Sequence, residues 1–224
     1  MEIIIPAKPE PIKLDMKRTA VIVVDMQNGF CKKGGMLDIL GMLPEPLVKR
    51  VIETDKKVIE AARGKGMKVL YLRMAFRPDL LDAGGENSPN PLKEIGLVAM
   101  RRNPEWKGKF ITFGTWDCEV IDELKPQPGD IVVDKNRYSG FTNTELHAIL
   151  QTHNIKYLLF LGLATNICVE STLRDAFFHE YFPVLISDGC GNFGPGCTQE
   201  ATIWNVTNLF GWVTTSEDLV KAIT

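Results

Sequence analysis

Short apolar, β-branched runs recur along the chain, at Ala20 to Val24, Val69 to Leu72, Ile131 to Val133, Tyr157 to Leu161 and Val184 to Ile186. Continuous apolar runs of this length predict strands buried on both faces of a sheet. Between them the apolar spacing changes to the helical period. Leu47, Val48, Val51, Ile52, Val58, Ile59 and Ala62 fall on one helix face, with Gly64 and Gly66 following as stop signals. Thr142-Asn143-Thr144-Glu145 has the form of a capping box ahead of Leu146, Ile149 and Leu150, and Val169 to Phe178 reads as a further helix. Strands alternating with helices predict a parallel α/β sheet.

The stretch from Ala75 to Phe113 breaks this rhythm. It carries Pro78, Gly84-Gly85, Pro89, Pro91, Pro104 and Gly108 among several basic residues, which predicts a long irregular segment. Segments of that length inside a compact domain usually serve as lids or binding walls.

Composition narrows the class. A chain of 224 residues with 45% hydrophobic content can bury one sizeable core, so a single domain over residues 1–224 is expected. The net charge of -2 gives no drive toward nucleic acid or an anionic membrane surface, leaving a small molecule as the expected partner. No apolar run reaches a membrane-spanning length, and Met1 to Asp15 lacks a basic start, which points to a cytoplasmic protein. Cys31, Cys118, Cys168, Cys190 and Cys197 are odd in number and form no C-x-x-C pair, so reduced thiols are expected rather than a disulfide framework or a zinc ribbon.

In an open parallel sheet, ligands bind beyond the carboxyl ends of the strands. Asp25 directly follows the first apolar run, Lys135 follows Ile131-Val132-Val133-Asp134, and Cys168 follows Leu158 to Leu161 by a short turn. A helix beginning after Cys168 would place the thiol near a helix N-terminus, where the dipole favours a thiolate. A nucleophile, a carboxylate base and a cation would then share one rim. A cysteine behind an apolar strand also serves as an inert core residue, and an acid at a strand end also serves as a structural cap. Spacing alone leaves both readings open.

Asp25-Met26-Gln27-Asn28, Lys135 with Arg137-Tyr138-Ser139-Gly140-Phe141, and Gly162-Leu163-Ala164-Thr165-Asn166-Ile167-Cys168-Val169 resemble, in order, the signature segments of the isochorismatase-like cysteine hydrolases. The resemblance implies a doubly wound parallel sheet with helices on both faces and a catalytic triad of Asp25, Lys135 and Cys168. It also implies a cis peptide between Leu163 and Ala164, and an oxyanion hole of the Ala164 and Cys168 N–H groups. It further implies a homo-oligomer, a dimer or tetramer, with Phe177, Phe178, Tyr181, Phe182, Phe210 and Trp212 available for a subunit contact. Within the superfamily the likeness is strongest to the ureidoacrylate amidohydrolases, through Asp122 to Asp130, Arg137 to Phe141 and Ala164 to Phe178. Arg73 and Arg77-Pro78-Asp79-Leu80 instead resemble the biuret hydrolases. The implied reaction is cysteine-dependent hydrolysis of a C–N bond in a small N-carbamoyl compound. Ureidoacrylate is the favoured substrate, and biuret or triuret is the alternative.

Other readings are weaker. Cysteine at 168 argues against isochorismate hydrolysis itself, which does not depend on a thiol. The nicotinamidase branch uses a histidine-rich metal site between the first two strands, and Met26 to Leu72 contains no histidine. No metal or organic cofactor is therefore expected, and His147, His153 and His179 read as helix-surface or packed residues. Gly189-Cys190-Gly191-Asn192-Phe193-Gly194 matches G-x-G-x-x-G, but no Asp or Glu occurs from Ala201 to Ser216 to bind a ribose, so a glycine-rich loop beside the site is preferred. A binding module that has lost catalysis would not need the intact triad. Phe30, Tyr138 and Asn166 adjoin the triad segments and are candidate pocket residues. Arg73, Arg77 and Lys107, or a neighbour in the cluster Arg101, Arg102 and Lys109, are the candidates to hold a substrate carboxylate. Trp116 reads as core.

Overall fold

In the computed structural model, which describes residues 1–224, every apolar run named above is a strand. The strands are β1 (Glu2–Ile5), β2 (Ile12–Asp15), β3 (Thr19–Val24), β4 (Lys68–Met74), β5 (Ile131–Lys135), β6 (Tyr157–Leu163), β7 (Phe182–Gly191) and β8 (Trp212–Thr214). The helices are α1 (Asn28–Cys31), α2 (Met36–Ile39), α3 (Glu45–Gly64), α4 (Asn90–Lys93), α5 (Ile95–Arg102), α6 (Leu146–Thr152), α7 (Glu170–Phe178), α8 (Cys197–Asn205) and α9 (Ser216–Ile223). The main sheet has the order β5-β4-β3-β6-β7-β8 and is parallel throughout, while β1 and β2 form a separate antiparallel pair.

This order explains where a ligand goes. The chain enters the sheet centre at β3, builds outward to β5, then returns to the other side of β3 with β6. The connections after β3 and β6 therefore diverge to opposite faces, and a crevice opens at the carboxyl ends where the order reverses.

All six residues of β3 are buried, because both sheet faces are covered. Ala20, Ile22 and Val24 belong to one core with Leu97 and Met100 of α5, Leu146 and Leu150 of α6, and Leu173 and Ala176 of α7. Val21 and Val23 belong to the other, with Val48, Val51, Val58, Ile59 and Ala62 of α3, Leu219 and Ile223 of α9, and Ile5, Ile12 and Leu14 of the β1–β2 pair. Burial of each large aliphatic side chain contributes about 1.5–3 kcal/mol. No helix is long and apolar enough to cross a membrane.

Two local expectations need correction. The capping box does not form: Thr142 makes no cap, and instead Thr144 Oγ1 accepts the Leu146 N–H at 3.2 Å while donating to the Gly140 carbonyl. The segment from Ala75 to Phe113 is less irregular than its Pro and Gly content predicts. It contains α4 and α5, and α5 starts where the Glu94 side chain accepts the Leu97 N–H and buries Leu97, Ala99 and Met100 in the core.

One core feature is unfavourable. Asp55, on the inward face of α3, is fully buried and neither carboxyl oxygen has a hydrogen-bond partner. Burial pushes its carboxyl well above the ordinary value of 3.8, and Asp188 adds to the shift. A folded-state value raised in this way means that the native protein holds a proton which the unfolded chain releases above pH 3.8. Stability therefore falls as pH rises from there toward the folded value. Asp55→Val is expected to raise stability at pH 8 by about 1–3 kcal/mol and to reduce the difference between pH 5 and pH 8. Urea denaturation at the two pH values measures both effects, and a variant that keeps the wild-type difference would contradict this account.

Candidate active site

The crevice receives one group from each of three strand ends. Asp25 follows β3 and adopts a left-handed backbone conformation, φ 50°, uncommon for a residue with a Cβ and frequent at functional turns. Lys135 ends β5, level with Met74 at the end of β4. Cys168 lies in a π-helical turn, Thr165–Val169, between the end of β6 and the start of α7. Such turns are rare and concentrate at functional sites. Close approach of β6 to β3 beneath the site depends on Gly162, where φ is +104° and a Cβ would lie 2.1 Å from the Val24 carbonyl oxygen. The Leu163–Ala164 peptide is cis, as the resemblance implies. The Ala164 N–H donates to no backbone carbonyl, and Ala164 lines the cavity with Cys168.

Lys135 Nζ donates to Asp25 Oδ2 at 2.8 Å, and both side chains are buried, at 0% and 2% exposure. Asp25 Oδ1 accepts the Met74 N–H at 3.1 Å, so both carboxylate oxygens are tied. Burial alone would lower the Lys135 ammonium, but the charge of the neighbouring Asp25, with its hydrogen bond, outweighs it and the group is raised. The Cys168 thiol is pushed well up by burial and further by Asp25, with Lys135 opposing. Burial and the adjacent carboxylate thus favour the protonated thiol, opposing the pull of a helix N-terminus toward a thiolate. The arrangement offers a sulfur nucleophile, a carboxylate that can take its proton, and an ammonium that holds the resulting charge in place.

The signature segments also contain residues that only position the others. Gln27 Nε2 donates to the carbonyls of Met74 and Cys118, both at 2.8 Å, and its Oε1 accepts the Met74 N–H at 2.8 Å, locking the end of β4 beside Asp25. Asn28 Nδ2 donates to the Trp116 carbonyl at 2.8 Å. Ser139 Oγ donates to Asp175 Oδ2 at 2.5 Å and the Gly140 N–H donates to Thr172 Oγ1 at 3.0 Å, both on α7. A Cβ on Gly140 would lie 2.5 Å from Leu72 Cδ1, so glycine allows this segment to lie flat against the sheet and present Tyr138 to the cavity.

The cavity above Cys168 measures about 50 Å³ and is mostly apolar. Phe30 and Tyr138 line it, as the sequence predicts, with Ala164, Ile167 and Cys168. Asn166 does not line it. Its side chain exchanges two hydrogen bonds of 2.9 Å with the Phe193 backbone and so holds Phe193, which does. The glycine-rich sequence at the end of β7 is therefore a wall of the site, through Gly191, Asn192 and Phe193.

None of the expected carboxylate-binding cations reaches this cavity. Arg73 pairs with Asp134 at 2.6 Å and Glu119 at 3.2 Å, Arg77 pairs with Asp79 at 2.7 Å, and Lys107 is exposed. Arg101, Arg102 and Lys109 are likewise exposed. Residues not foreseen from the sequence are Leu37, Pro44, Val48, Met74, Ile95 and the acid Glu94. Trp116 is exposed rather than core. His147 and His179 stack at 4.5 Å, and His147 Nδ1 shares a 3.0 Å hydrogen bond with the Tyr181 hydroxyl. No group of three or more His, Cys, Asp or Glu could hold a metal ion.

Residues 19–218 match the model of the isochorismatase domain. The chain is 47% identical to the ureidoacrylate amidohydrolase RutB of Caulobacter segnis over 96% of its own length and 90% of that protein's. Its identity to the RutB of Agrobacterium fabrum is also 47%, over 98% and 96%. Among solved structures, a cysteine hydrolase from Pseudomonas syringae superposes with a TM-score of 0.80 at 30% identity, covering 97% of both chains. The N-carbamoylsarcosine amidase of Thermoplasma acidophilum superposes with a TM-score of 0.67 at 28% identity, covering 89% and 97%. Matched by the isochorismatase-domain model over residues 19–218 and by ureidoacrylate amidohydrolases over nearly its whole length, the chain belongs to the isochorismatase-like hydrolase family.

Proposed function

We propose that this chain is a cysteine-dependent amidohydrolase that cleaves the C–N bond of a small N-carbamoyl compound, with ureidoacrylate as its substrate. The observation that carries this reading is the buried 2.8 Å pair of Lys135 and Asp25 beside Cys168 in a narrow cavity, in a chain 47% identical to ureidoacrylate amidohydrolases. Asp25 removes the Cys168 proton as the sulfur attacks the carbamoyl carbon, and Lys135 holds the charge in place. The N–H groups of Ala164 and Cys168 receive the developing oxyanion. Asp25 then protonates the departing nitrogen, aminoacrylate leaves, and water hydrolyses the S-carbamoyl enzyme to carbamate, which decays to ammonia and carbon dioxide.

The protein works in the cytoplasm, where its five free thiols stay reduced. It acts as a homo-oligomer. Phe177, Phe178, Trp204 and Leu209 are exposed, and Phe177, Phe178 and Phe210 make edge contacts at about 6 Å. Such aromatic surface is typical of the centre of a subunit interface. Tyr181 does not contribute, since it is buried against His147.

Ammonia release from ureidoacrylate, biuret, triuret, N-carbamoyl amino acids and nicotinamide at equal concentration tests the substrate. Ureidoacrylate is expected to give the highest kcat/KM. Preference for biuret or triuret, which the absence of a free cation from the cavity would favour, would replace the substrate but keep the mechanism. Preference for nicotinamide would remove both.

A further inference from the structure

Apart from Asp25, Glu94 is the only residue lining the cavity that brings a carboxyl group. It joins α4 to α5 and is 2% exposed. Its Oε2 accepts the Leu97 N–H at 2.7 Å, and the Gly96 N–H also faces the group. The start of α5 thus fixes the side chain in position. No side chain donates a hydrogen bond to it, so the edge of the carboxyl not held by α5 is free for a ligand.

The charged and titratable groups around Glu94 are few. Asp25 at the end of β3 and Lys135 at the end of β5 act on it from below, and Tyr138 faces it from the loop after β5. The Lys135 ammonium is already committed to Asp25. Phe30, Leu37, Met74, Ile95 and Phe193 supply most of the remaining wall, and no arginine or second lysine lines it. A substrate bound at Cys168 therefore shares this cavity with the Glu94 carboxyl group, where a carboxylate site would ordinarily hold a cation. Two carboxylates in a dry pocket do not both stay ionised, and they share one proton instead. Burial and the Asp25 charge already push the Glu94 carboxyl up, with Lys135 and the α5 N–H groups opposing.

Resting on the reading of this pocket as a ureido-hydrolase site, we propose that Glu94 is its specificity-determining residue. It holds the carboxylate of an acid substrate by a hydrogen bond from its protonated carboxyl group, so that each acid molecule binds together with one proton from solvent. An uncharged ureido compound instead donates an N–H to the ionised Glu94 and needs no proton. The wall thus selects substrate by charge and couples acid substrates to pH.

The test uses Cys168→Ala, which holds ligand without turnover. The dissociation constants of ureidoacrylate and of its primary amide are measured by calorimetry from pH 6 to pH 9. Binding of ureidoacrylate is expected to weaken by about tenfold per pH unit over the alkaline part of this range, the signature of one linked proton. The amide is expected to bind with little change. Adding Glu94→Gln, whose side-chain oxygen can still accept the Leu97 N–H, is expected to flatten the ureidoacrylate profile. Equal slopes for acid and amide, or an unaltered acid slope in Glu94→Gln, would overturn the proposal. The acid and amide pair gives the answer on the unaltered wall even if Glu94→Gln fails to fold. Wild-type turnover separates the two readings. Activity on ureidoacrylate without a proton-linked slope removes only the role of Glu94, whereas inactivity on every ureido compound removes the function on which it rests.

Discussion

Cys168→Ala is expected to lower ammonia release by on the order of 10⁵-fold or more, because nucleophile and base act as a unit and removing one forfeits the covalent route. The fold should survive. Cys168 is 7% exposed and borders the cavity, so losing one sulfur atom enlarges a space already present rather than opening a new one in close-packed core. Cys168→Ser should be almost as inactive, since a hydroxyl is far harder for Asp25 to deprotonate than a thiol. Turnover with each variant, beside a thermal melt, separates chemistry from folding. Turnover near wild type in Cys168→Ala, with a normal melt, would end the covalent mechanism.

Lys135→Met is expected to abolish turnover and also to destabilise the protein by about 3–5 kcal/mol, the cost of leaving a buried partner charge uncompensated. The ammonium has 0% side-chain exposure and lies 2.8 Å from Asp25, so no water can replace it. Its pH dependence has a definite sign. Because Lys135 is raised in the folded state, its contribution is fully present below the ordinary value of 10.5 and is lost only as pH rises through the folded value. The contribution of the Lys135 ammonium to the wild-type protein should therefore be constant between pH 6 and pH 9. Combining Lys135→Met with Asp25→Asn should restore much of the stability but none of the activity, since the double variant has no charge left unpaired. Additive losses in that double-mutant cycle would show that the two groups are not coupled.

The reasons these groups could be read from the sequence are physical. The central strands are buried on both faces, so they appear as unbroken apolar runs, and the first polar residue after each run falls at the rim where ligands bind. Asp25 stands there directly, and Lys135 stands one residue further on, after Asp134. β1, β2 and β8 were not legible for the opposite reason. The first two are half exposed, and β8 is a three-residue strand at the sheet edge whose apolar pattern is too short to separate from a loop. Arg73 and Arg77 show the limit for charge. The sequence displays a cation near the site, but whether it is free depends on acids brought up by the fold, and Asp134 and Asp79 neutralise both. Glu94 was invisible because nothing in Leu92-Lys93-Glu94-Ile95 signals a helix start, whereas its place in the cavity depends on how α5 docks on the sheet.

The two tethers on Asp25 restrict how a proton can travel. One oxygen is held by the Met74 N–H and the other by Lys135, so the carboxylate has no free rotation with which to carry a proton from one place to another. In the proposed mechanism a proton taken from sulfur has to be surrendered from the same fixed point. The departing nitrogen must therefore come to the position that the thiol hydrogen has just vacated, and the hydrolytic water must follow it there. On that mechanism each turnover becomes a queue of thiol, substrate nitrogen and water at one tethered oxygen, and the order of events is set by which atom occupies that spot.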